Sequence, residues 1–192
     1  MHFTLGDLVT DITQNAAESG ASLVELEIRE TDREFRFTVK DNGKGMDQDE
    51  VKRAIDPFVT DGIKHPHRKV GLGIPFLIQT ASQSGGGWDM RSEKNVGTTI
   101  SAWFDLQNVD TPPVGDLSGM FRTIFLFPGP GEVCIRRFRE TGSLDYEVRK
   151  SELLEALGNL EDTGSLILMD RYLRSMEETE ETEEVDEAVQ AE

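Results

Sequence analysis

Asp11 and Asn15 stand four residues apart in a stretch whose apolar residues recur at helical spacing. Residues four apart share one face of a helix, so this carboxylate and this carboxamide would project together beside the apolar stripe. Oxygen donors of this kind suit a hydrated Mg²⁺ ion, which keeps several of its waters when a protein binds it. A solvated polar helix face is the alternative interpretation of the pair when it is considered alone.

A second segment, from Asp41 to Met46, reads Asp-Asn-Gly-Lys-Gly-Met and directly follows a predicted strand. Gly43 and Gly45 permit a sharp turn and a close approach of the backbone to a flat ligand. Asp41 can accept a hydrogen bond from an exocyclic amine such as that of adenine. An ordinary Asn-Gly turn is the alternative. A calcium loop is excluded, because Gly43 stands where that loop needs Asp or Asn.

A third segment, residues 71–75, reads Gly-Leu-Gly-Ile-Pro and begins a predicted helix. Backbone N–H groups and the dipole at a helix start favour a phosphate group. Phe76 stands where the dinucleotide fingerprint needs its third glycine, and the sequence contains no Walker loop. A lone Gly-x-Gly is therefore a weak signal for phosphate binding.

These segments lie on or between elements that periodicity predicts. Helices are expected over residues 5–16, 47–54, 75–81 and 151–160. Residues 60–70 have no periodicity and are expected to form a mobile loop, and Pro112-Pro113 marks a domain boundary. Residues 166–173 fit a strand or a helix. Strands are expected over residues 24–28, 35–39, 88–91, 98–106, 123–127, 132–138 and 144–148.

The amino-acid composition limits which partners the protein is expected to bind and in which compartment it is expected to occur. The net charge is −17, and residues 177–192 alone hold nine acidic and no basic residues. This balance argues against binding to nucleic acid or to an anionic membrane, and it predicts a disordered acidic tail. A single cysteine, Cys134, excludes an internal disulfide and favours a reducing compartment. No signal peptide or membrane span is visible, so the expected location is the cytoplasm.

In this order the motifs resemble those of the GHKL ATPase superfamily, which includes gyrase, the heat-shock chaperone, histidine kinases and mismatch-repair ATPases. The resemblance covers about residues 5–106 and is greatest to the histidine-kinase ATP-binding domain. It implies an α+β two-layer sandwich of the Bergerat type, with a mixed sheet covered by helices on one face. The domains expected are an ATP-binding domain over 1–108, a small α/β region over 114–176 and the tail over 177–192.

The resemblance also implies roles for single residues, with ATP and Mg²⁺ as the ligands. Asn15 would coordinate Mg²⁺, Asp41 would bind the adenine amine, partly through water, and Thr99 would fix the base beside Asp41. Loop 60–70 would be an ATP lid whose basic residues contact the γ-phosphate; the alternative for these residues is loop solubility. The remaining ATP-binding positions implied are Gly43, Gly45, Met46, Phe58, Thr60, Lys64, Arg68, Lys69, Gly71, Leu72, Gly73 and Ile74.

Two departures from the family pattern shape the expected activity. Hydrolytic members usually carry Glu where this sequence has Asp11, and the shorter side chain predicts poor water activation. No phosphoacceptor helix precedes the first motif, so a complete self-phosphorylating kinase is not expected. The hypotheses are phosphotransfer or slow ATP hydrolysis on a partner protein, with Asp11 as the catalytic residue, or a non-catalytic ATP-sensing signalling module. An oligomer is possible, and His65-x-His67 is interpreted as a solvated pair.

Overall fold

The computed structural model describes residues 3–56 and 73–178. Within those ranges the helices are α1 (Leu5–Ala17), α2 (Gln48–Ile55), α3 (Gly73–Gln83), α4 (Leu117–Phe125), α5 (Lys150–Leu157) and α6 (Thr163–Glu177). The strands are β1 (Leu23–Glu30), β2 (Glu34–Asp41), β3 (Gly87–Glu93), β4 (Gly97–Asp105), β5 (Glu132–Arg139) and β6 (Leu144–Arg149).

The strands form one mixed sheet of six strands in the order β3-β4-β2-β1-β5-β6. Four of the neighbouring pairs are antiparallel, and β1 and β5 are parallel, with Leu23 opposite Glu132 and Glu30 opposite Arg139. A parallel pair needs a long crossover connection. Here that connection includes α4.

Helix α1 begins at a capping box, which its sequence encodes directly. Thr4 accepts a hydrogen bond from the Asp7 amide at its Oγ1 (3.1 Å), and Asp7 Oδ2 accepts one from the Thr4 amide (2.8 Å). These bonds satisfy donors that the first turn of a helix leaves free. The apolar stripe that follows is buried and faces the sheet; it consists of Leu5, Leu8, Val9, Ile12 and Ala16.

One face of the sheet carries the helices and the hydrophobic core. Helix α1 contacts β1, β2, α3 and α4, so these three helices lie on the same face. Alternate strand residues such as Phe35, Phe37 and Phe104 are fully buried there, as period-two strands require. The other face is polar and bears ion pairs including Lys40–Glu25, Arg29–Glu27 and Arg149–Glu147. The predicted α+β two-layer fold is confirmed.

The strand predicted over 123–127 is wrong, because those residues belong to the end of helix α4 and the residues just after it. The apolar run Ile124–Phe127 is too short to separate strand from helix by periodicity. The helical signal lies upstream, where Asp116 accepts from the Gly119 amide (3.1 Å). The buried apolar residues of α4 then recur at helical spacing: Leu117, Met120, Phe121, Ile124 and Phe125. Residues 166–173 lie in helix α6.

The region after Pro112 continues the sheet of the first hundred residues through β5 and β6. The amides of Leu5 and Gly6 also donate to the carbonyls of Pro113 (2.9 Å) and Val114 (3.0 Å). The division into domains over 1–108 and 114–176 stays a prediction. Glu177, placed at the start of the predicted tail, is the last residue of α6, and residues 179–192 lie outside the described residues.

Candidate functional site

Asp41 ends β2 on the helix-covered face and is only 8 % exposed. Its Oδ1 accepts two hydrogen bonds, from Ser19 Oγ (3.1 Å) and from the Gly43 amide (2.8 Å). No group within residues 3–56 or 73–178 donates to its Oδ2. A carboxylate accepts at both oxygens, so Oδ2 retains capacity for an amine or a water molecule.

Three glycines beside the site, Gly43, Gly45 and Gly97, allow a close backbone approach, and the group that they approach is this chain itself. A Cβ on Gly43 would lie 1.8 Å from Ser19 Oγ, and one on Gly45 would lie 1.8 Å from the Glu93 carbonyl oxygen. A Cβ on Gly97 would lie 2.0 Å from the Asp41 carbonyl oxygen. The loop after β2 is therefore pressed between α1 and the β3–β4 hairpin. Contact of these glycines with a base stays a prediction.

Hydrogen bonds fix the same loop to the β3–β4 hairpin. The Met46 amide donates to Ser92 Oγ (2.8 Å), and the Asn95 amide donates to the Lys44 carbonyl (2.7 Å). Ser92 Oγ lies 2.8 Å from Thr98 Oγ1. A polar wall of hydroxyl groups thus stands beside Asp41.

The β2–β4 register does not place Thr99 directly opposite Asp41, and the role of Thr99 at the base stays a prediction. The β2–β4 register pairs Asp41 with Thr98 and Lys40 with Thr99. Directly paired residues project to the same face of a sheet, and successive residues project to opposite faces. Thr98 therefore shares the covered face with Asp41, whereas Thr99 lies with Lys40 on the open face.

The opposite end of the site is formed where α1 meets α3. A Cβ on Gly73, the first residue of α3, would lie 3.5 Å from Asn15 Nδ2 and 3.8 Å from Asp11 Cβ. Asp11 and Asn15 are both exposed on α1, so the predicted shared face is present. Ile74 follows in the first turn of α3 and is half-buried. The helix start and the polar pair are thus adjacent, as a phosphate and Mg²⁺ site requires.

Helix α1 connects the two ends. Asn15 lies in the last turn of α1, and Ser19 is the second residue after the helix ends. Asn15 borders the start of α3, and Ser19 contacts the Asp41 carboxylate. The residues present fit a purine nucleotide whose base end lies at Asp41 and whose phosphate end lies at Asn15.

Several predicted site residues lie outside the described residues: Phe58, Thr60, Lys64, Arg68, Lys69, Gly71 and Leu72, together with His65 and His67. Their roles stay predictions. Within the described ranges no group of three or more His, Cys, Asp or Glu residues could hold a metal ion. This finding is compatible with Mg²⁺, which takes few protein ligands when phosphates supply the others.

Sequence reasoning missed Ser19, Ser92 and Thr98. Thr98 follows only from the β2–β4 register, which places it opposite Asp41 on the same face of the sheet. Nothing in the sequence indicated that Ser19 and Ser92 belong to the site, because serines that follow a helix or lie in an edge strand are common.

Comparison with known proteins identifies the class. The sequence profile of the family described as "Histidine kinase-, DNA gyrase B-, and HSP90-like ATPase" matches residues 3–108. The match spans more than half of the chain, and the chain belongs to this family. It contains a GHKL-type ATP-binding domain, which confirms the resemblance drawn from its motifs, and the family binds Mg-ATP in general.

Individual relatives are more distant. The chain is 39 % identical over 56 residues to the DNA mismatch repair protein MutL from each of two strains of Porphyromonas gingivalis. That span is 29 % of this chain and 9 % of MutL. The crystal structure of the N-terminal domain of a DNA repair protein aligns with a TM-score of 0.55 and 12 % identity. It covers 85 % of this chain and 58 % of that one, and the likeness shows the fold alone.

No helix within the described parts of the chain is both long and apolar enough to traverse a lipid bilayer.

Proposed function

We propose that this protein binds Mg-ATP between α1 and α3 and that it transfers or slowly hydrolyses the γ-phosphate in concert with a partner protein. One observation carries the proposal: a single helix, α1, places Asn15 beside the first residue of α3 and leads to Ser19 beside the Asp41 carboxylate. The two ends that an adenine nucleotide needs are therefore held at a fixed separation.

The chain's own residues divide the work of binding. Asp41 Oδ2 accepts from the adenine amine, and the backbone N–H groups at the start of α3 take phosphate oxygens. Asn15 offers its side-chain oxygen to Mg²⁺, which neutralises phosphate charge when bound. Asp11 lies on the same face of α1, beside Gly73, and holds the position of a general base for an attacking water. Its side chain is one methylene shorter than Glu, so slow turnover is expected.

Replacement of Asn15 by Ala tests the metal end of the site. Asn15 is exposed, so the fold should persist while Mg²⁺-dependent ATP affinity falls at least tenfold. Titration calorimetry with and without Mg²⁺ measures this loss. Gln14→Ala is the matched control, because Gln14 is also exposed on α1 and its amide binds Glu18 (2.9 Å).

Replacement of Asp41 by Asn tests the base end of the site. An amide that presents its NH₂ group to the adenine amine cannot accept a hydrogen bond from it. The affinity for ATP should therefore fall more than the affinity for GTP. Competition between the two nucleotides for the same protein measures the ratio. Unchanged ATP affinity in both the Asn15 and the Asp41 variants would overturn the proposal.

A non-catalytic role is the second candidate, in which ATP occupancy changes affinity for a partner without turnover. The Asp11 substitution for the family's Glu favours it. Phosphate release and labelled transfer by the purified chain, with and without proteins captured in the presence of ATP, distinguish the two. Tight ATP binding with no turnover under either condition supports the sensing role.

The similarity to MutL is the one observation that favours a role on DNA, and the net charge of −17 opposes it. Fluorescence anisotropy with a labelled duplex at low salt, with and without ATP, decides between them. Salt-sensitive binding would revise the sequence-based expectation of no nucleic-acid partner.

A further inference from the structure

Ser19 joins the end of α1 to the loop that follows β2. Its Oγ lies 2.7 Å from the Ala16 carbonyl oxygen and 3.1 Å from Asp41 Oδ1, and it donates its one proton between these two acceptors. Its carbonyl oxygen accepts from the Lys44 amide (3.1 Å). Both the side chain and the backbone of Ser19 therefore hold the segment that carries Asp41.

The two oxygens of Asp41 are used unequally as a result. Oδ1 accepts from Ser19 Oγ and from the Gly43 amide, while no described residue donates to Oδ2. Gly43 packs so closely on Ser19 that a single added carbon would overlap Oγ. The carboxylate is thus held at one oxygen from two sides, with the other oxygen left to face a ligand.

We propose that Ser19 is a positioning residue for nucleobase selection: by occupying Asp41 Oδ1 it directs Oδ2 toward a purine that carries a 6-amino group. Ser19 itself does not touch the base. The inference rests on the proposed binding of ATP at Asp41 and goes beyond it by naming the residue that sets base discrimination. The ligand class selected is a 6-aminopurine nucleotide over its 6-oxo counterpart.

Removal of the hydroxyl should reduce discrimination more than it reduces binding in general. In Ser19→Ala, ATP affinity should fall roughly tenfold, the size expected for one hydrogen bond to a charged group. Inosine triphosphate has an oxo group where ATP has the amine, and its affinity should change less than twofold. Ser19→Cys replaces the hydroxyl with a larger and weaker donor and should show an intermediate loss of ATP affinity.

A double-mutant cycle separates positioning from a merely structural role. In an Asp41→Asn background, Ser19→Ala should change ATP affinity by less than twofold, because the carboxylate it positions is absent. Ser82→Ala is the matched control: the Ser82 hydroxyl also donates to a nearby helix carbonyl, that of Ile78 (2.8 Å), and it donates to no carboxylate among the described residues. This control should leave both affinities unchanged.

Equal losses for ATP and inosine triphosphate, or an undiminished loss in the Asp41→Asn background, would overturn the inference. A wild-type chain that binds ATP and discriminates, together with a Ser19→Ala variant that discriminates equally well, refutes the role of Ser19 and leaves the proposed function standing. A wild-type chain that binds neither nucleotide refutes both.

Discussion

Gly45 occupies a backbone conformation that few other residues tolerate. Its φ is +58°, and a Cβ there would lie 1.8 Å from the Glu93 carbonyl oxygen. Left-handed backbone costs a non-glycine residue about 1–2 kcal/mol, and the overlap adds a displacement of the hairpin. The glycine is therefore required by the packing of the loop, whatever the loop binds.

Gly45→Ala should lower the free energy of unfolding by more than about 2 kcal/mol, measured by urea denaturation. Gly20→Ala is the matched control, since Gly20 has a φ of +81° and nothing within 4 Å of an added Cβ. The control should show the conformational cost alone. Equal losses in the two variants would contradict the packing explanation.

Cys134 should be a slow nucleophile at neutral pH. It is 7 % exposed, and burial, followed by the nearby Glu147 carboxylate, raises the pKa of its thiol to about 11. Because the thiolate is the reactive form, alkylation should be slow at pH 8 and should accelerate as the pH rises toward 11. The iodoacetamide reaction followed by mass spectrometry measures the rate. The chain unfolded in guanidinium is the control and should react at pH 8.

For single residues, the sequence predicted candidate site positions where the expected chemistry allows few residue types. Asp41, Gly43 and Asn15 were predicted as site residues because few side chains can accept from an amine, allow a tight turn or ligate a hard cation, and the structure gives each a position compatible with that prediction. Thr98 and Ser19 were not predicted, because their importance depends on register and on the approach of a helix end. Both are tertiary properties that spacing within one segment does not contain.

Among the elements, α1 begins at a full capping box, carries Asn15 and leads to Ser19 at the other end of the candidate site. Its first turn depends on the reciprocal bonds between Thr4 and Asp7. By contrast, Asp162 occupies the N-cap of α6 without a side-chain hydrogen bond. The N-cap residues of the two helices should therefore contribute unequally to the free energy of unfolding.

Thr4→Ala should lower the free energy of unfolding by about 1 kcal/mol, as loss of an N-cap does elsewhere. Asp162→Ala should cost clearly less. Thermal denaturation of the two variants under identical conditions compares them. A larger loss for Asp162→Ala would show that the α6 cap forms in solution and would contradict the comparison.

Most elements were predictable because their periodicity is unambiguous. Strands β1, β2 and β4 alternate buried and accessible residues along their length, as the sequence pattern indicates. Helix α4 was not predicted, and its last residues were predicted as a strand because four consecutive apolar residues satisfy either period. The position of β5 beside β1 could not be predicted from the sequence, because no local pattern indicates which strands become neighbours in the sheet.

In the molecule as a whole, one buried cation joins elements from both ends of the chain. The Arg137 side chain on β5 is 0 % exposed and pairs with Glu30 on β1. It also donates to Glu177 on α6 (3.2 Å). Tyr146 on β6 donates to the same Glu177 carboxylate (2.5 Å), and burial together with this carboxylate raises the pKa of the phenol above its usual range. The network secures the last turn of α6 to the sheet.

Arg137→Ala should lower the free energy of unfolding by about 3 kcal/mol, because it removes the buried guanidinium that pairs with the mostly buried carboxylates of Glu30 and Glu177. Arg136→Ala is the matched control, since its exposed side chain lies 3.8 Å from Asp145 and should contribute less than about 0.5 kcal/mol. Urea denaturation of both variants measures the difference. Equal, small losses would show that the network does not stabilise the fold.

The parallel pairing of β1 with β5 has a consequence for the order in which this chain can be completed during translation. Strands β2 and β4 emerge from the ribosome early and can pair at once, but the outer edge of β1 must wait for residues 132–139. Throughout that interval a nascent chain displays a row of unsatisfied amides and carbonyls to any other strand nearby. A fragment that ends at residue 108, where the family match ends, would leave this edge of β1 without a partner strand and prone to pair with other chains. Fragments intended for solution work therefore need to extend through β6.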